Sequence, residues 1–545
     1  MPCNCRLERS ITLNLYNIYN SKSDRFDALN AILKRSSGEQ HLLDLRIDNA
    51  RIFDGRNFCD HRHLGVQGTL ITHLGDEAAP AAQVIDAAGR LLTPAFVDTH
   101  SHADFMVTHE DNDGGSSVSQ GVGTLVVGNC GMSSVPDTAP FPLIAMKRTD
   151  TNHNCRDHLR EVERGLSLNI GELLGHGTLR LSVMDTARTP SHNEIACMQS
   201  RLREYLQEGW AGMSVGLNYP EAAGYSREEL YGLCTVLAQF GKPLTCHIRD
   251  QGAGILQAMD EVIDIGHDAG CPVLVSHLRP LSDQLDHLVP EMERRFDSNA
   301  HAHFDMYPYV AGCTTLSLVF QNAFQHVPKA SESFAQSDVD TAIRSICINS
   351  YDDIHVIQHR IHDYTKKTIS DIALFLGEEP AKVIQDVYFD DPNCVCIFDN
   401  TSTQESVHRL IQHDRCLLGS DAWLYATHYN GACHPRNFGA FTGFLTRLVR
   451  NGPIDLVSGL RRITSRAADY FGLDAGHLAV GRRADIALFS LDNLRENATF
   501  TEPCQLSTGM DGVWIAGQRV FGDDSGSESP RPGARLPVHR DFAKH

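Results

Sequence analysis

Helix-like and strand-like segments alternate in the middle of the chain, and this order limits the possible folds more than any other feature. SREELYGLCTVLAQFG opens with Ser226 and Glu229 spaced as a capping box, carries apolar residues on one helical face and ends at Gly241. The strand-like KPLTCHIRD follows, and a second amphipathic segment then leads to the strand-like CPVLVSHLRP. This order predicts a parallel sheet, either closed into a barrel or open and doubly wound. No G-x-G-x-x-G follows a strand here, so a dinucleotide fold has no support.

Polar residues recur directly after the apolar runs that we predict to be strands. These are His100 and His102 after LLTPAFVD, Cys130 after TLVVGN, His247 after PLTC, His277 after PVLVS and Asp421 after CLLGS. The intervals from His102 to Cys130 and from His247 to His277 each match one strand-plus-helix unit of roughly 30 residues. In an eight-stranded barrel the C-terminal strand ends surround the active site. Nitrogen, sulfur and oxygen ligands that converge there match a zinc site.

Two other H-x-H pairs do not fit this pattern. His61 and His63 lie in the polar segment FCDHRHLG, and His301 and His303 lie at the entry of their strand. We therefore do not expect them at the functional end.

The predicted fold class is α/β, a (β/α)8 TIM-like metal-dependent barrel with a small β-sandwich domain built from both ends of the chain and an inserted lid. Short strands broken by Gly, Asp and Asn near both ends predict the small domain. The expected ranges are 1–41 for an N-terminal extension, 42–90 plus 475–522 for the β domain, 91–474 for the barrel, about 310–368 for the lid and 523–545 for a flexible tail. VCIFDN at 395–400 is expected to form the seventh barrel strand and CLLGSD the eighth.

Charge and composition limit the partners that we expect. Lys and Arg number 48 and Asp and Glu 68, for a net charge of −20, which argues against nucleic acid and anionic membranes. The first residues lack the apolar stretch of a signal peptide, and no stretch reaches the ~18 apolar residues of a membrane span. The 16 cysteines are scattered, and a large chain needs no disulfides. We expect a cytoplasmic protein with reduced thiols and leave its oligomeric state open.

The sequence resembles the N-acyl-D-amino-acid deacylases (D-aminoacylases) of the amidohydrolase superfamily from about Leu42 to Gly522. The matching segments, in order, are VDTHSHAD, QGVGTLVVGNCGMS, GMSVGLNYP, CHIRDQG, SHLRP, YPYVAGCTTL, GSDAW, HPRNFGAF and VGRRADIALF. NCG is the most discriminating of them, because many binuclear amidohydrolases use a carboxylated lysine on a strand end instead. The resemblance implies a tight zinc ion held by Cys130, His247 and His277, and a second, weaker metal site at His100 and His102.

The expected reaction is hydrolysis of an N-acyl-D-amino acid to a carboxylate and a free D-amino acid. A zinc ion lowers the pKa of bound water towards ~7 and polarises the carbonyl. Asp421 is expected to start ionised, to take a proton from the metal-bound water and to deliver it to the departing nitrogen. The preference for D over L substrates follows from the resemblance alone.

The α-carboxylate of such a substrate needs a cation and hydrogen-bond donors. Arg279 and Tyr307 stand at the positions of the family's carboxylate contacts, and Arg binds carboxylates bidentately. The family commonly has lysine where Arg279 stands and serine where Cys313 stands. Both departures bear on which amino-acid side chain of the substrate is preferred. Arg249 and Arg436 are further candidates, with a structural ion pair as the alternative for each.

Two other functions remain open at this point. One is a cyclic amidase similar to dihydroorotase or hydantoinase, which would use the same metals and aspartate for ring opening. The other is an inactive barrel that serves as a binding protein.

Overall fold

A computed structural model describes residues 42–136, 155–184, 188–324, 350–522 and 530–538, together with 328, 332, 334–345 and 348. The predicted N-terminal extension, residues 1–41, lies outside the described residues. No helix in the described part of the chain is long and apolar enough to cross a lipid bilayer.

Eight parallel strands form the central sheet, and nearly all of their residues are buried, as expected for parallel strands covered on both faces. In chain order they are Phe96–Asp98, Val122–Val127, Asn169–Gly175, Gly212–Gly216, Leu244–His247, Val273–Val275, Ala302–Met306 and Cys416–Leu418, and we number them one to eight. The Thr99 amide donates to the Leu418 carbonyl at 3.3 Å, and Ser101 forms a parallel bridge with Ala422. These contacts connect the first strand to the eighth, so the barrel is nearly closed and the predicted (β/α)8 fold is confirmed.

Helices pack around the barrel strands. They are Gly115–Val118, Cys155–Val162, His176–Val183, His192–Gln207, Arg227–Gln239, Ile255–Ala269, Val289–Asp297, Gln404–Gln412, Arg436–Gly443, Leu456–Ile463 and Ser465–Phe471, with a π-helix at Phe444–Arg450. The helix after the fourth strand begins at the predicted capping box, in which the Ser226 hydroxyl accepts from the Glu229 amide. Its buried apolar face includes Leu230, Leu233, Cys234 and Leu237.

Two further sheets form a unit to which both ends of the chain contribute, and the second sheet combines strands from both. One consists of Leu43–Asp48, His63–Gln67, Leu70–Gly75 and Ala81–Asp86, and the other of Arg51–Ile52, Leu91–Pro94, Ile486–Phe489, Met510–Ile515 and Gln518–Phe521. Leu92 pairs with Leu488 in the second sheet, so residues 396 positions apart are direct neighbours. Apolar residues that include Ile47, Leu64 and Trp514 form the core of this unit. The small β domain of the predicted fold is confirmed.

The strands of a third small sheet come between the seventh and eighth barrel strands in the order of the chain. Val395–Phe398 is its central strand, flanked by Gly312–Thr315 and Ile354–Gln358, and both pairings are antiparallel. The helices of this unit, which has its own apolar core, are Leu316–Phe324, Gln336–Ser345, Ile369–Leu376 and Pro380–Asp390. We call the inserted unit, Gly312–Phe398, the lid; it extends beyond the expected end at residue 368.

The prediction that residues 395–400 form the seventh barrel strand is wrong. Ala302–Met306 takes that place, between Val273–Val275 and Cys416–Leu418. An apolar run of four residues indicates burial, but it does not specify which of two cores buries it.

The end of the chain packs against the barrel. Residues 523–529 and 539–545 lie outside the described residues. Arg535 forms a parallel bridge with Ile170 at the third strand, and its guanidinium forms an ion pair with the buried Glu172. The same guanidinium lies 4.0 Å from the ring centroid of Trp210, and Leu536 is buried. Residues 530–538 therefore depart from the predicted flexible tail, because their charged and apolar side chains have partners in the barrel.

Candidate active site

The structure brings all six predicted metal-ligand and catalytic residues together at the C-terminal end of the barrel. His100 and His102 follow the first strand, Cys130 the second, His277 the sixth and Asp421 the eighth, while His247 ends the fifth. Their ligand atoms form three overlapping groups, and within each group all atoms lie within 4.8 Å of one another. The groups are His100–His102–Cys130, Cys130–His247–His277 and His100–His277–Asp421.

Three of these residues adopt a backbone conformation that is rare for residues with a Cβ atom. The φ angle is +55° at Cys130, +36° at His277 and +53° at Asp421. Such conformations persist where surrounding contacts hold them, and they cluster at functional sites. Here the His277 amide donates to the Asp305 carboxylate at 2.7 Å, and the Asp421 amide donates to the His100 carbonyl at 2.8 Å. The chain thus turns sharply at three strand ends, which places the three side chains at a common centre.

Polar neighbours hold the Nδ1 atoms of three of the imidazoles. Nδ1 of His100 lies 3.2 Å from the Asp305 carboxylate, Nδ1 of His247 lies 3.1 Å from the Tyr219 hydroxyl, and Nδ1 of His277 lies 3.1 Å from the Gln251 amide. Nε2 of His100 and Nε2 of His277 approach Sγ of Cys130 at 3.3 and 3.5 Å. Contacts of this kind orient histidine ligands and fix the nitrogen that faces a metal.

The donor set at Cys130 fits zinc. In a tetrahedral zinc site with bond lengths of ~2.3 Å to sulfur and ~2.0–2.1 Å to nitrogen, sulfur and nitrogen ligands lie about 3.6 Å apart. The two measured separations are close to this value. Burial alone would raise the pKa of the Cys130 thiol, but the neighbouring imidazoles, His100 first, hold it well below its usual value. The thiolate, which is the form that binds zinc, is therefore the favoured one.

Asp421 connects the ligand cluster to an arginine. One carboxylate oxygen lies 3.2 Å from Nε2 of His102 and 3.5 Å from Nε2 of His100, and the other lies 2.7 Å from Nη1 of Arg436. Burial alone would raise the pKa of this carboxyl, but the Arg436 charge and the His102 hydrogen bond hold it well below its usual range. The ionised form of Asp421 is therefore the favoured one.

Comparisons with known proteins place this geometry in a family. The profile of the Amidohydrolase family matches residues 83–521. The chain belongs to the amidohydrolase family. Among curated relatives it is 30% identical to an N-acyl-D-glutamate deacylase and 31% identical to an N-acyl-D-aspartate deacylase, both from Alcaligenes xylosoxydans xylosoxydans. The first match covers 91% of this chain and 97% of the relative, and the second covers 87% and 92%.

A solved structure shows the same likeness. The crystal structure of N-acyl-D-glutamate deacylase from Bordetella bronchiseptica, complexed with zinc and a phosphonate inhibitor, matches with a TM-score of 0.78 and 29% identity. The match covers 91% of this chain and 100% of that chain. The resemblance to the N-acyl-D-amino-acid deacylase family and the expectation of an amidohydrolase enzyme are confirmed.

Of the substrate-contact candidates, Arg436 contacts Asp421 directly, and Tyr307 and Cys313 lie close to this pair in the amidohydrolase. Arg436 donates from Nη1 to the Tyr307 hydroxyl at 2.9 Å, and its guanidinium lies 4.8 Å from the centroid of the Tyr307 ring. Nε of Arg436 is buried and has no hydrogen-bond partner among the described residues. Cys313 lies in the first lid strand, where burial raises the pKa of its thiol to about 11 and the charges of Arg436 and Asp421 act on it.

The two arginines that stand two positions after a histidine ligand have different surroundings. Arg279 is buried, lies 4.9 Å from the Tyr307 ring centroid and donates from Nη1 to two backbone carbonyls. Arg249 has a side chain that is 45% exposed and pairs with Glu261 at 3.2 Å. The structure therefore brings Arg279 towards the amidohydrolase site, and it directs Arg249 towards a surface carboxylate.

Sequence reasoning missed the residues that act through the ligands. Asp305, Tyr219 and Gln251 contact imidazoles, and buried Asp98 accepts from the His100 amide at 3.1 Å and the Ser420 amide at 2.9 Å. Asp305, Tyr219 and Gln251 lie at or just beyond the ends of the seventh, fourth and fifth strands, in FDMYPY, GLNYP and HIRDQG. Their positions relative to the strand ends are the signal that could have marked these three, although it does not specify their roles.

Proposed function

We propose that this amidohydrolase hydrolyses the amide bond of N-acyl-D-amino acids and releases an acyl carboxylate and a free D-amino acid. The observation that carries the proposal is the position of Asp421, with one oxygen towards the His and Cys cluster and the other on Arg436. A hydrolytic centre and an anion-binding group are thus adjacent, as the amide and the α-carboxylate are in an N-acyl amino acid. The preference for D substrates is supported by the names of the relatives, which include N-acyl-D-glutamate deacylase.

The ligand groups support a zinc centre of two sites. Cys130, His247 and His277 would hold one ion tightly, and His100 with His102 would hold a second, weaker one; Cys130 belongs to both groups. A zinc ion bound there polarises the substrate carbonyl and makes water a better nucleophile at neutral pH. Asp305, Tyr219 and Gln251 would keep the imidazoles in the orientation that leaves Nε2 available.

Asp421 would serve as the proton carrier of the reaction. It starts ionised because Arg436 and His102 lower its pKa, so it accepts a proton from the attacking water. It then delivers that proton to the amide nitrogen, which leaves poorly as an anion. Transfer by a positioned carboxylate contributes typically ~10²–10⁴-fold to the rate.

The substrate α-carboxylate would bind at Arg436 and Tyr307. Nε of Arg436 is a buried donor that has no partner among the described residues, and such donors are costly to leave unpaired. Arg279, on the same tyrosine ring, would add positive charge, and Cys313 would border the substrate side chain. Arg249 has no part in this proposal because it pairs with Glu261.

The proposal is tested by amine release from a matched panel of N-acetyl-D- and N-acetyl-L-amino acids, with zinc-loaded protein. We expect hydrolysis of D substrates only. Dihydroorotate and hydantoins belong in the same assay, because ring opening without any deacylation would show a cyclic amidase instead.

Asp421→Asn separates an enzyme from a binding protein. We expect this variant to lose at least ~10²-fold in kcat, since the carboxamide cannot accept the proton, while it keeps the zinc content of the unmodified protein. Asp76→Asn, at a carboxylate that is 70% exposed, is the matched control and should leave both unchanged. Full activity of Asp421→Asn would contradict the assigned role.

The cytoplasmic location stays a prediction.

A further inference from the structure

The lid joins the barrel through two segments that lie beside each other. The incoming segment, residues 307–311, follows the seventh strand, and the outgoing segment, residues 399–402, leads to the helix before the eighth strand. The Thr401 hydroxyl donates to the Val310 carbonyl at 2.9 Å, which ties the two segments together. The Ser402 hydroxyl donates to the Pro280 carbonyl at 2.8 Å, which ties them to the segment after the sixth strand. We call residues 307–311 and 399–402 the lid root.

Arg279 holds the incoming half of the lid root. Its Nη1 donates to the Tyr309 carbonyl at 3.0 Å and to the Ala311 carbonyl at 3.0 Å. A guanidinium Nη carries two N–H groups, so both donors of this nitrogen are used by backbone carbonyls. A Cβ atom at Gly312 would lie 3.0 Å from Nη2 of the same arginine, so the first lid residue packs directly on the guanidinium.

We call Arg279 with its two backbone acceptors, the carbonyls of Tyr309 and Ala311, the clamp. The clamp connects the lid to the reaction centre on both sides. On one side, Arg279 stands two residues after His277, whose Nε2 belongs to the ligand cluster. On the other side, Cys313 follows directly after Gly312, within reach of the charges of Arg436 and Asp421. The position of the first lid strand relative to Asp421 therefore depends on the contacts that Arg279 makes.

We propose that Arg279 is a positioning residue that fastens the lid root to the loop of His277 and thereby sets the place of the first lid strand over the substrate site. The planar fork of an arginine can hold two carbonyls with one nitrogen and still present its other donors to a substrate carboxylate. A lysine carries a single ammonium on a flexible chain and cannot occupy the same positions at once. Only the catalytic consequence of this inference rests on the proposed deacylase function; the clamp itself does not.

Hydrogen–deuterium exchange on the full-length, zinc-loaded protein tests the clamp directly. In Arg279→Lys we expect amides in residues 309–316 and 395–403 to exchange about tenfold faster, the factor that corresponds to one lost hydrogen bond. Arg249→Lys is the matched control, because Arg249 stands two residues after His247 as Arg279 does after His277. Arg249→Lys should leave the exchange rates of these two segments unchanged. Exchange in the third barrel strand, Asn169–Gly175, reports that every variant is folded.

Gly312→Ala is a second variant that keeps every charge. The added methyl group crowds Nη2 of Arg279, so we expect faster exchange in the same two segments. Exchange at the unmodified rate in both Arg279→Lys and Gly312→Ala would overturn the clamp.

Kinetics on the best N-acetyl-D-amino acid separate positioning from charge. With the clamp lost and Asp421 intact, Arg279→Lys should raise KM about tenfold and change kcat by less than about threefold. A wild-type KM for Arg279→Lys, with a raised KM for Arg279→Met, would show that only the positive charge matters and would overturn the positioning role. If no N-acyl amino acid is hydrolysed, the exchange experiment still decides the clamp, so the two proposals fail separately.

Discussion

At the residue scale, the guanidinium of Arg436 makes two different contacts through the same nitrogen, Nη1. It neutralises the buried Asp421 carboxylate at 2.7 Å, and it donates to the Tyr307 hydroxyl at 2.9 Å. A buried ion pair costs desolvation, so it is retained where other contacts or function require it. Nε of this arginine has no hydrogen-bond partner among the described residues, and it is the donor that we propose for the substrate carboxylate.

Replacement of this arginine tests the assignment of the substrate carboxylate. In Arg436→Met we expect KM for N-acyl-D-amino acids to rise by ~10²-fold or more, the factor for loss of a buried charge-assisted hydrogen bond of roughly 3 kcal/mol. The measurement is steady-state kinetics at equal zinc content, with Arg249→Met as the control. An unchanged KM in Arg436→Met would show that the substrate carboxylate does not bind to this side chain.

The ligand residues were accessible to sequence reasoning because each follows an apolar run at a strand end. Asp305, Tyr219 and Gln251 were not singled out, although they lie at comparable positions, because their role depends on which imidazole nitrogen they contact. Arg249 and Arg279 show the limit most clearly. Both stand two residues after a histidine at a strand end, and only their surroundings, Glu261 in one case and two carbonyls in the other, separate them.

At the scale of elements, the two capping boxes of the barrel helices have the same sequence pattern and different energetics. Glu229 closes the box of Arg227–Gln239, and its fully buried carboxylate also accepts from Nη1 of Arg180 and lies 2.9 Å from Nε2 of His176. Glu194 closes the box of His192–Gln207 at the surface, where it pairs with the half-exposed Arg188.

Because the surroundings differ, we expect equivalent substitutions in the two capping boxes to lower the free energy of unfolding by different amounts. Ser226→Ala should lower the free energy of unfolding by about 1 kcal/mol through loss of the cap. Glu229→Gln should lower it by about 3 kcal/mol, because the buried Arg180 charge loses its carboxylate partner. Glu194→Gln is the matched control and should be close to neutral. Urea unfolding followed by circular dichroism measures all three, and equal costs for Glu229→Gln and Glu194→Gln would contradict the buried network.

The helices and the barrel sheet could be predicted because their periodicity and caps are local. The capping box at Ser226 and the buried face of its helix lie where the pattern indicates. The strand Val395–Phe398 was misplaced because its apolar residues fit a barrel equally well. The lid core that buries it forms only when residues 312–315 and 354–358 pair with it, and such pairings across tens of residues leave no local signal.

At the scale of the whole molecule, the end of the chain returns to the third barrel strand. Burial alone would raise the pKa of Glu172, but the charges of His158 and Arg535 lower it to about 2. A carboxyl whose pKa is lower in the folded protein stabilises the fold above its unfolded pKa of ~4.3, and this stabilisation is lost as the pH falls towards 2. The polar composition of residues 523–545 suggested a flexible tail, because a sequence does not show that one arginine in it will meet a buried carboxylate.

Arg535→Met tests whether the C-terminal segment stabilises the barrel. At pH 7 we expect a loss of about 3 kcal/mol in the free energy of unfolding, since Glu172 remains buried and charged without its guanidinium partner. The difference from the unmodified protein should narrow between pH ~5 and ~2, because protonation of Glu172 removes the charge that Arg535 compensates. Urea unfolding at pH 7 and pH 4 measures both effects. Arg227→Met, at an ion pair with the exposed Asp268, is the control and should be close to neutral at both pH values. A loss of unfolding free energy that stays constant with pH would mean that Arg535 stabilises the fold through its packing on Trp210. No loss at all would show that the contacts of residues 530–538 do not stabilise the barrel.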